Sequence, residues 1–258
     1  MKKRQLSNFT KDWSAKEYLQ QYYSSNKINS DEIVTLKYMV DFLKKSNTIF
    51  DRAIEVGSGP TLHQIIPLIP YVKILHLSDF LPQNLDEIKK WLEDDPDAHD
   101  WDIYIKYVLT LEGRGESLEK RKKDMRKVIT KLLHIDIYKR YPLGSLDTYP
   151  LVTSFYCADS ISKNKQEWKK CMTNIFTLVQ PDGLIFLAAL RNASSYQVTD
   201  QYFPSANINE KDFKDLFQEN SSFVKSSLDI QVLSNPEWLA SGFDSCMFVK
   251  AEAAHVNN

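Results

Sequence analysis

The chain has 258 residues, 43% hydrophobic and 26% charged, which suits one large α/β domain with a substantial core. Its formal charge of −1 offers no global field to recruit nucleic acid or an anionic membrane, and no apolar run is long enough to span a bilayer. Cys157, Cys171 and Cys246 lack zinc-type spacing and the five histidines are scattered. They point to reduced thiols in a cytoplasmic protein with no metal. The basic start, MKKRQLSNF, has no apolar stretch behind it and so does not read as a secretory signal.

Residues 13–24 (WSAKEYLQQYYS) form a short aromatic helix by pattern. A second helix is expected from Ser30, whose hydroxyl is placed to cap it, with Asp31 and Glu32 at the positive end of its dipole. Ile33, Leu36, Val40 and Leu43 then recur at helical spacing. From there the pattern becomes strand, turn and helix. A strand over 53–56 runs into Gly57-Ser58-Gly59, and a second over 73–77 ends at Ser78-Asp79 before a helix over 82–92. Residues 98–133 read as mostly helical, 133–137 and 150–156 as strands, and 163–179 as a helix. Pro181-Asp182-Gly183 turns into a strand over 184–190. The tail reads as a helix over 209–219 and strands over 222–232 and 245–250. No repeat or linker divides the chain, and the alternation implies a mostly parallel sheet covered on both faces.

The sequence Glu55-Val-Gly57-Ser-Gly59-Pro-Thr61 follows its strand directly. Two glycines let backbone approach a ligand closely, and a following helix N-terminus presents free N–H groups. Asp79 closes the next strand about 20 residues later, where an acid holds a ribose diol. This pair of features suits a nicotinamide dinucleotide as well as S-adenosylmethionine. The third dinucleotide glycine is missing, however, and the acidic Glu55 suits a ligand with a cationic amino acid end better than a pyrophosphate. Both features favour the methyl donor.

Further strings add to that loop: Tyr18…Tyr22-Tyr23, EVGSGPTLHQ (55–64), SDFLPQNLDEIKKWL (78–92), DAHDW (97–101), LEG (111–113), DI (136–137), YPLG (141–144) and LVQPDG (178–183). In this order the chain resembles the small-molecule methyltransferase family of nicotinamide N-methyltransferase, phenylethanolamine N-methyltransferase and thioether S-methyltransferase, from about residue 13 to 250. The resemblance implies a Rossmann-like class I methyltransferase domain over 1–258. Its sheet would be mostly parallel and seven-stranded, with helices on both faces. Residues 1–46 would form an N-terminal helical lid and 47–258 the catalytic core. It also implies that S-adenosylmethionine is cradled by Gly57, Ser58, Gly59 and Thr61 with His63 nearby, and that its ribose is held by Asp79 with Asn84. Asp136 and Ile137 would hold the adenine, Ser154 would approach the methionine end, and Tyr18 and Tyr23 would close over the donor and align it for catalysis.

Acceptor-side positions match the family poorly. The acids its amine- and pyridine-methylating members carry after the fourth and fifth strands fall on Ala158 and Ala189 here. Phe155, Asp159, Arg191, Asn192, Tyr196 and Asp244 are the candidate acceptor-side residues. Arg191 and Asn192 in particular suggest a polar or carboxylate-bearing small molecule, and disfavour nicotinamide. The same departure admits cyclisation of the donor itself, forming azetidine-2-carboxylate and methylthioadenosine. A non-catalytic donor-binding protein and a dinucleotide-dependent oxidoreductase are the other readings. Tyr18, Tyr22 and Tyr23 also fit the packed face of a helix, Asp136 an ordinary strand-end carboxylate, and His63 a satisfied core histidine. Cys157, near the site, reads as a buried thiol. Residues 114–127 hold seven basic and three acidic side chains without interleaved aromatics, as expected of a solvated helix face rather than a nucleic-acid surface. No partner beyond a small-molecule acceptor is implied, and a monomer is expected.

Overall fold

The structure, a computed structural model, describes residues 6–255; the first five residues of the basic start lie outside that range. Seven strands form one sheet: β1 (Ala53–Val56), β2 (Leu75–Asp79), β3 (Ile129–His134), β4 (Tyr149–Phe155), β5 (Val179–Arg191), β8 (Asp229–Ser234) and β9 (Ser245–Glu252). Their order is β3-β2-β1-β4-β5-β9-β8, and only β9 runs against its neighbours. Two further strands, β6 (Ser195–Val198) and β7 (Gln201–Pro204), pair as a separate hairpin. The order reverses between β1 and β4, and crevices for ligands open at the carboxyl ends of strands at such a point.

The strands bury both faces. On β1, Ala53 joins one apolar cluster and Ile54 and Val56 the other; on β4, Leu151 and Phe155 lie opposite Val152. That period-two division places helices on both sides. α3 (Ser30–Ser46), α4 (Pro82–Leu92), α5 (Asp102–Glu112) and α6 (Leu118–Val128) contribute to the first cluster. α8 (Lys165–Phe176) and α9 (Glu210–Glu219) contribute to the second. Two short helices, α1 (Phe9–Asp12) and α2 (Ala15–Tyr23), precede them, and α7 (Ala158–Ile161) follows β4.

Most expected elements form, with informative differences. α3 begins at Ser30, but its N-cap is Asn29, whose N–H is accepted by the Glu32 carboxylate at 3.3 Å; the Ser30 hydroxyl instead accepts the Trp238 indole N–H. The segment after the glycine loop is a 3₁₀ helix, His63–Tyr71, because Pro67 and Pro70 remove donors that α-helical bonding needs. The third strand occupies Ile129–His134, not 133–137, so the preceding helical region stops at Val128. Arg121, within the charged stretch expected to be a solvated face, is fully buried. It donates to Glu112, Glu116 and the Ile66 carbonyl, and removing one partner of such a buried pair costs roughly 3–5 kcal/mol.

Candidate functional site

A cavity of about 1330 Å³ opens over the carboxyl ends of β1, β2 and β4. Single small-molecule sites enclose roughly 300–1,000 Å³, so this one has room for two ligands side by side. β1 delivers Gly57 and Gly59 to its floor, both at positive φ. A Cβ at Gly57 would stand 2.1 Å from the Cys157 sulfur, so only glycine fits there. Ser78, at the end of β2, accepts the Gly57 and Ser58 N–H groups at 2.8 and 2.9 Å, and the Thr61 hydroxyl donates to the Ser58 carbonyl at 2.8 Å.

Asp79 is the most elaborated residue of the cavity. It is 7% exposed, and burial raises its carboxyl above the usual range, against three donors that favour its ionised form: Leu81 N–H and the Asn84 amide on Oδ1, and Gly59 N–H on Oδ2. A carboxylate offers about four acceptor positions, so Oδ2 keeps one for a ligand hydroxyl. Asn84 is oriented in turn by the Trp13 indole, which donates to its Oδ1 at 2.8 Å. Asp136 lies on the loop after β3, its Oδ1 accepting the Tyr138 N–H at 3.1 Å beside buried Ile137.

α2 roofs the cavity. Its Ser14 cap accepts the Glu17 N–H, and Tyr18 and Tyr23 turn inward with hydroxyls 3.4 Å apart. Burial raises both phenols, which stay neutral. The hairpin of β6 and β7 holds this roof: the Tyr22 hydroxyl and the Gln21 amide both donate to the Gln197 carbonyl, and Phe9 packs on Phe203 at 4.7 Å. His63 lies beneath Tyr23, its ring stacked on Trp101, and burial together with His99 pushes it down to about 3. It therefore enters any chemistry as a neutral imidazole.

The cavity wall gathers Tyr18, Tyr23, Gly57, Ser58, Gly59, Thr61, His63, Asp79, Asn84, Asp136, Ile137, Phe155 and Tyr196 from the expected residues. Other candidates sit elsewhere. Ser154 faces the opposite side of β4 from Phe155 and donates to the Val56 carbonyl at 2.9 Å. Asp159 is buried under β5, where its Oδ2 accepts the Leu190 N–H. Arg191, Asn192 and Asp244 pair with one another: Asp244 Oδ2 accepts from Arg191 at 2.9 Å and Asn192 at 2.6 Å, while Glu210 takes the rest of the guanidinium. This set does not line the cavity, so the expected cationic wall is absent. Glu55 is also not a cavity residue. It is fully buried, accepts from Thr153 and the Phe155 N–H, and is pushed up to about 8 by desolvation, so it braces β4 rather than meeting a ligand. The Cys157 thiol does line the cavity, but burial raises it well above the ordinary range, leaving it protonated.

Sequence reasoning missed Trp13, Glu32 as a cavity residue, Tyr156, Trp238 and Phe243. Only Trp13 carried a signal, standing directly before the Ser14 cap of the tyrosine-rich helix. The others reach the cavity from α3, the end of β4 and the segment between β8 and β9, which are remote in sequence from the glycine loop.

Most of the chain is similar to known proteins. Residues 3–252 match the family described as the NNMT/PNMT/TEMT family. Nicotinamide N-methyltransferase of Homo sapiens is 29% identical over 206 residues, covering 78% of this chain and 76% of that protein. Phenylethanolamine N-methyltransferase of Macaca mulatta is 26% identical over 195 residues, covering 74% and 68%. Among solved structures, N-methyltransferase NodS from Bradyrhizobium japonicum WM9, in complex with S-adenosyl-l-homocysteine, shares the fold with a TM-score of 0.53. It is 10% identical, with 93% of this chain and 98% of that chain covered.

Proposed function

We propose that this chain, which belongs to the NNMT/PNMT/TEMT family, is an S-adenosylmethionine-dependent methyltransferase that methylates a nitrogen of a small molecule. The observation that carries the reading is Asp79, held by three donors with an acceptor position left on Oδ2, beside a floor where Gly57 leaves no room for a Cβ against Cys157. That arrangement fits an adenosine ribose next to a compact methionine end. When bound, S-adenosylmethionine supplies a sulfonium methyl that an acceptor lone pair displaces in line, without further activation.

The protein's residues then have mainly to align and to exclude water. Asp79, with Asn84 behind it, receives the ribose hydroxyls, and Asp136 and Ile137 flank the adenine. Gly57, Ser58, Gly59 and Thr61 shape the floor under the methionine end, with His63 at its edge. Tyr18 and Tyr23 cover the reacting region from above, where neutral phenol oxygens favour positive charge. Phe155 and Tyr196 stand on the acceptor side. We take the chain as one domain over 1–258, residues 1–46 serving as the lid and 47–258 as the core. The three free thiols favour the cytoplasm, and a monomer is the expected state. Neither the family nor its relatives supports the donor-cyclising, oxidoreductase or non-catalytic readings.

Isothermal calorimetry tests the proposal. The chain should bind S-adenosylhomocysteine at micromolar or better affinity and show no heat with NAD. Binding of NAD without S-adenosylhomocysteine would overturn it.

A further inference from the structure

Asp31 and Glu32 open α3 and both line the cavity. Glu32 is 8% exposed, and the Tyr104 hydroxyl donates to its Oε2 at 2.6 Å, as does the Asn29 N–H. Both bonds use Oε2. Neither carboxylate has an ion-pair partner among the described residues. The groups facing them from neighbouring elements are Tyr18, Tyr22 and Tyr23 of α2, Tyr104 of α5, Tyr156 after β4 and Cys246 of β9. Burial raises every one of these phenols and the thiol, so none contributes a charge. His63 is neutral as well.

His63 gives an independent sign of a ligand. It is 2% exposed and lines the same cavity, 5.2 Å from the Tyr104 ring, and its Nδ1 has no hydrogen-bond partner in the structure. Buried ring nitrogens are ordinarily satisfied. The one lysine or arginine lining the cavity among the described residues, Lys163, stands at the Tyr138 end beside Glu167. This wall thus has the carboxyl groups of Asp31 and Glu32, an unsatisfied nitrogen and, among the described residues, no lysine or arginine. Ionising either carboxyl therefore calls for a countercharge that arrives with the ligand.

We infer that Asp31 and Glu32 bind the acceptor as a protonated amine, and that Glu32 takes the proton whose loss frees the nitrogen lone pair. The inference rests on the methyltransferase reading above. In the proton step the N–H bond breaks, an O–H bond forms on Glu32, and the electron pair stays on nitrogen as the nucleophile. Positive charge returns to nitrogen once it carries the methyl group, and the same wall holds it until release. Desolvation pushes the Glu32 carboxyl up to about 8, so in the empty cavity it holds a proton at neutral pH; an arriving ammonium favours its ionised form, and the raised carboxyl is then ready to take a proton back from nitrogen. The aromatic rings of Tyr22, Tyr156, Trp238 and Phe243 line the same cavity and suit an amine on an apolar body.

The test titrates benzylamine, 2-phenylethylamine and hexylamine, each against the alcohol of the same skeleton, into the protein saturated with S-adenosylhomocysteine. The native chain, Asp31→Asn and Glu32→Gln are compared by calorimetry. At least one amine should bind the native complex more tightly than its alcohol. Each substitution should weaken that amine at least about tenfold while alcohol and S-adenosylhomocysteine affinities stay within about twofold, the latter also reporting an intact fold. With that amine at saturation, kcat should fall further in Glu32→Gln than in Asp31→Asn. Unchanged amine affinity in both variants, or a native chain that prefers every alcohol, overturns the inference. So does weakened binding of S-adenosylmethionine alone, which would give the carboxylates to the sulfonium. A native chain that fails to bind S-adenosylhomocysteine breaks the methyltransferase reading instead.

Discussion

The two ends of the cavity are built by different means. At the Asp79 end, polar groups come from strand termini and the turns that follow them: Gly57 and Gly59 after β1, Asp79 closing β2, Asp136 after β3. Each is fixed by hydrogen bonds to nearby residues of its own or the neighbouring turn, and each lies in a short contiguous string. At the Glu32 end, the wall is assembled from α2, α3, the hairpin and the segment before β9, joined by contacts spanning much of the chain, such as Trp238 to Ser30 and Tyr22 to Gln197. The carboxyl ends of the strands thus present one half of the cavity, and elements added around the sheet present the other.

The sharpest break of this contrast is Asp79→Ala. It removes the acceptor for three donors and the proposed ribose contact, and should weaken S-adenosylhomocysteine at least about 100-fold, or ~3 kcal/mol, by calorimetry. Retained affinity would move the ribose elsewhere. Next comes Gly57→Ala, which places a Cβ against Cys157 at positive φ. It should cost about 2–4 kcal/mol in chemical denaturation and lose donor binding. Adding Cys157→Ala should not rescue it, because the Cys157 Cβ itself lies 2.6 Å from that position.

Glu55 and Asp79 lie on neighbouring strands yet differ in role, and pH separates them. The folded state holds Glu55 at about 8, above its ordinary 4.5, so the neutral form is favoured in the fold. Its contribution to stability is complete below about 4.5 and is lost as pH rises toward 8. Glu55→Gln should therefore lose less stability than the native chain between pH 5 and 8, read as the slope of Tm against pH; parallel slopes would place ionised Glu55 in a polar site. Trp13→Phe keeps the packing on Tyr18 but drops the bond to Asn84, and should cost about 1 kcal/mol of donor affinity. Arg191→Ala should change kcat/KM less than about twofold and stability by under ~1 kcal/mol, since its ion pairs lie outside the cavity wall. A large loss of activity would restore the cationic acceptor wall.

What the sequence made legible follows the same division. α4 is found at its expected bounds because Pro82 supplies its first turn and Ile88 and Trp91 mark its buried face. β3 was displaced by several residues because it is an edge strand: three of its six residues are exposed, and Lys131 interrupts any alternation after a highly charged helix. The hairpin went unread because its strands have four residues each and its turn, Thr199-Asp200, lacks the Asn-Gly or Asp-Gly signal, even though Thr199 takes positive φ. Arg191 and Asp244 were natural candidates by position. Their mutual neutralisation depends on β5 and β9 being neighbours, which no local pattern reports.

The most direct measurement is mass spectrometry of S-adenosylmethionine incubated with the pure protein, with and without a panel of amines, thiols and heteroaromatics. S-adenosylhomocysteine should form only when an acceptor is present, together with an N-methylated product 14 mass units heavier. Methylthioadenosine formed without any acceptor, or no consumption of the donor across a panel broad in nitrogen nucleophiles, would contradict the account.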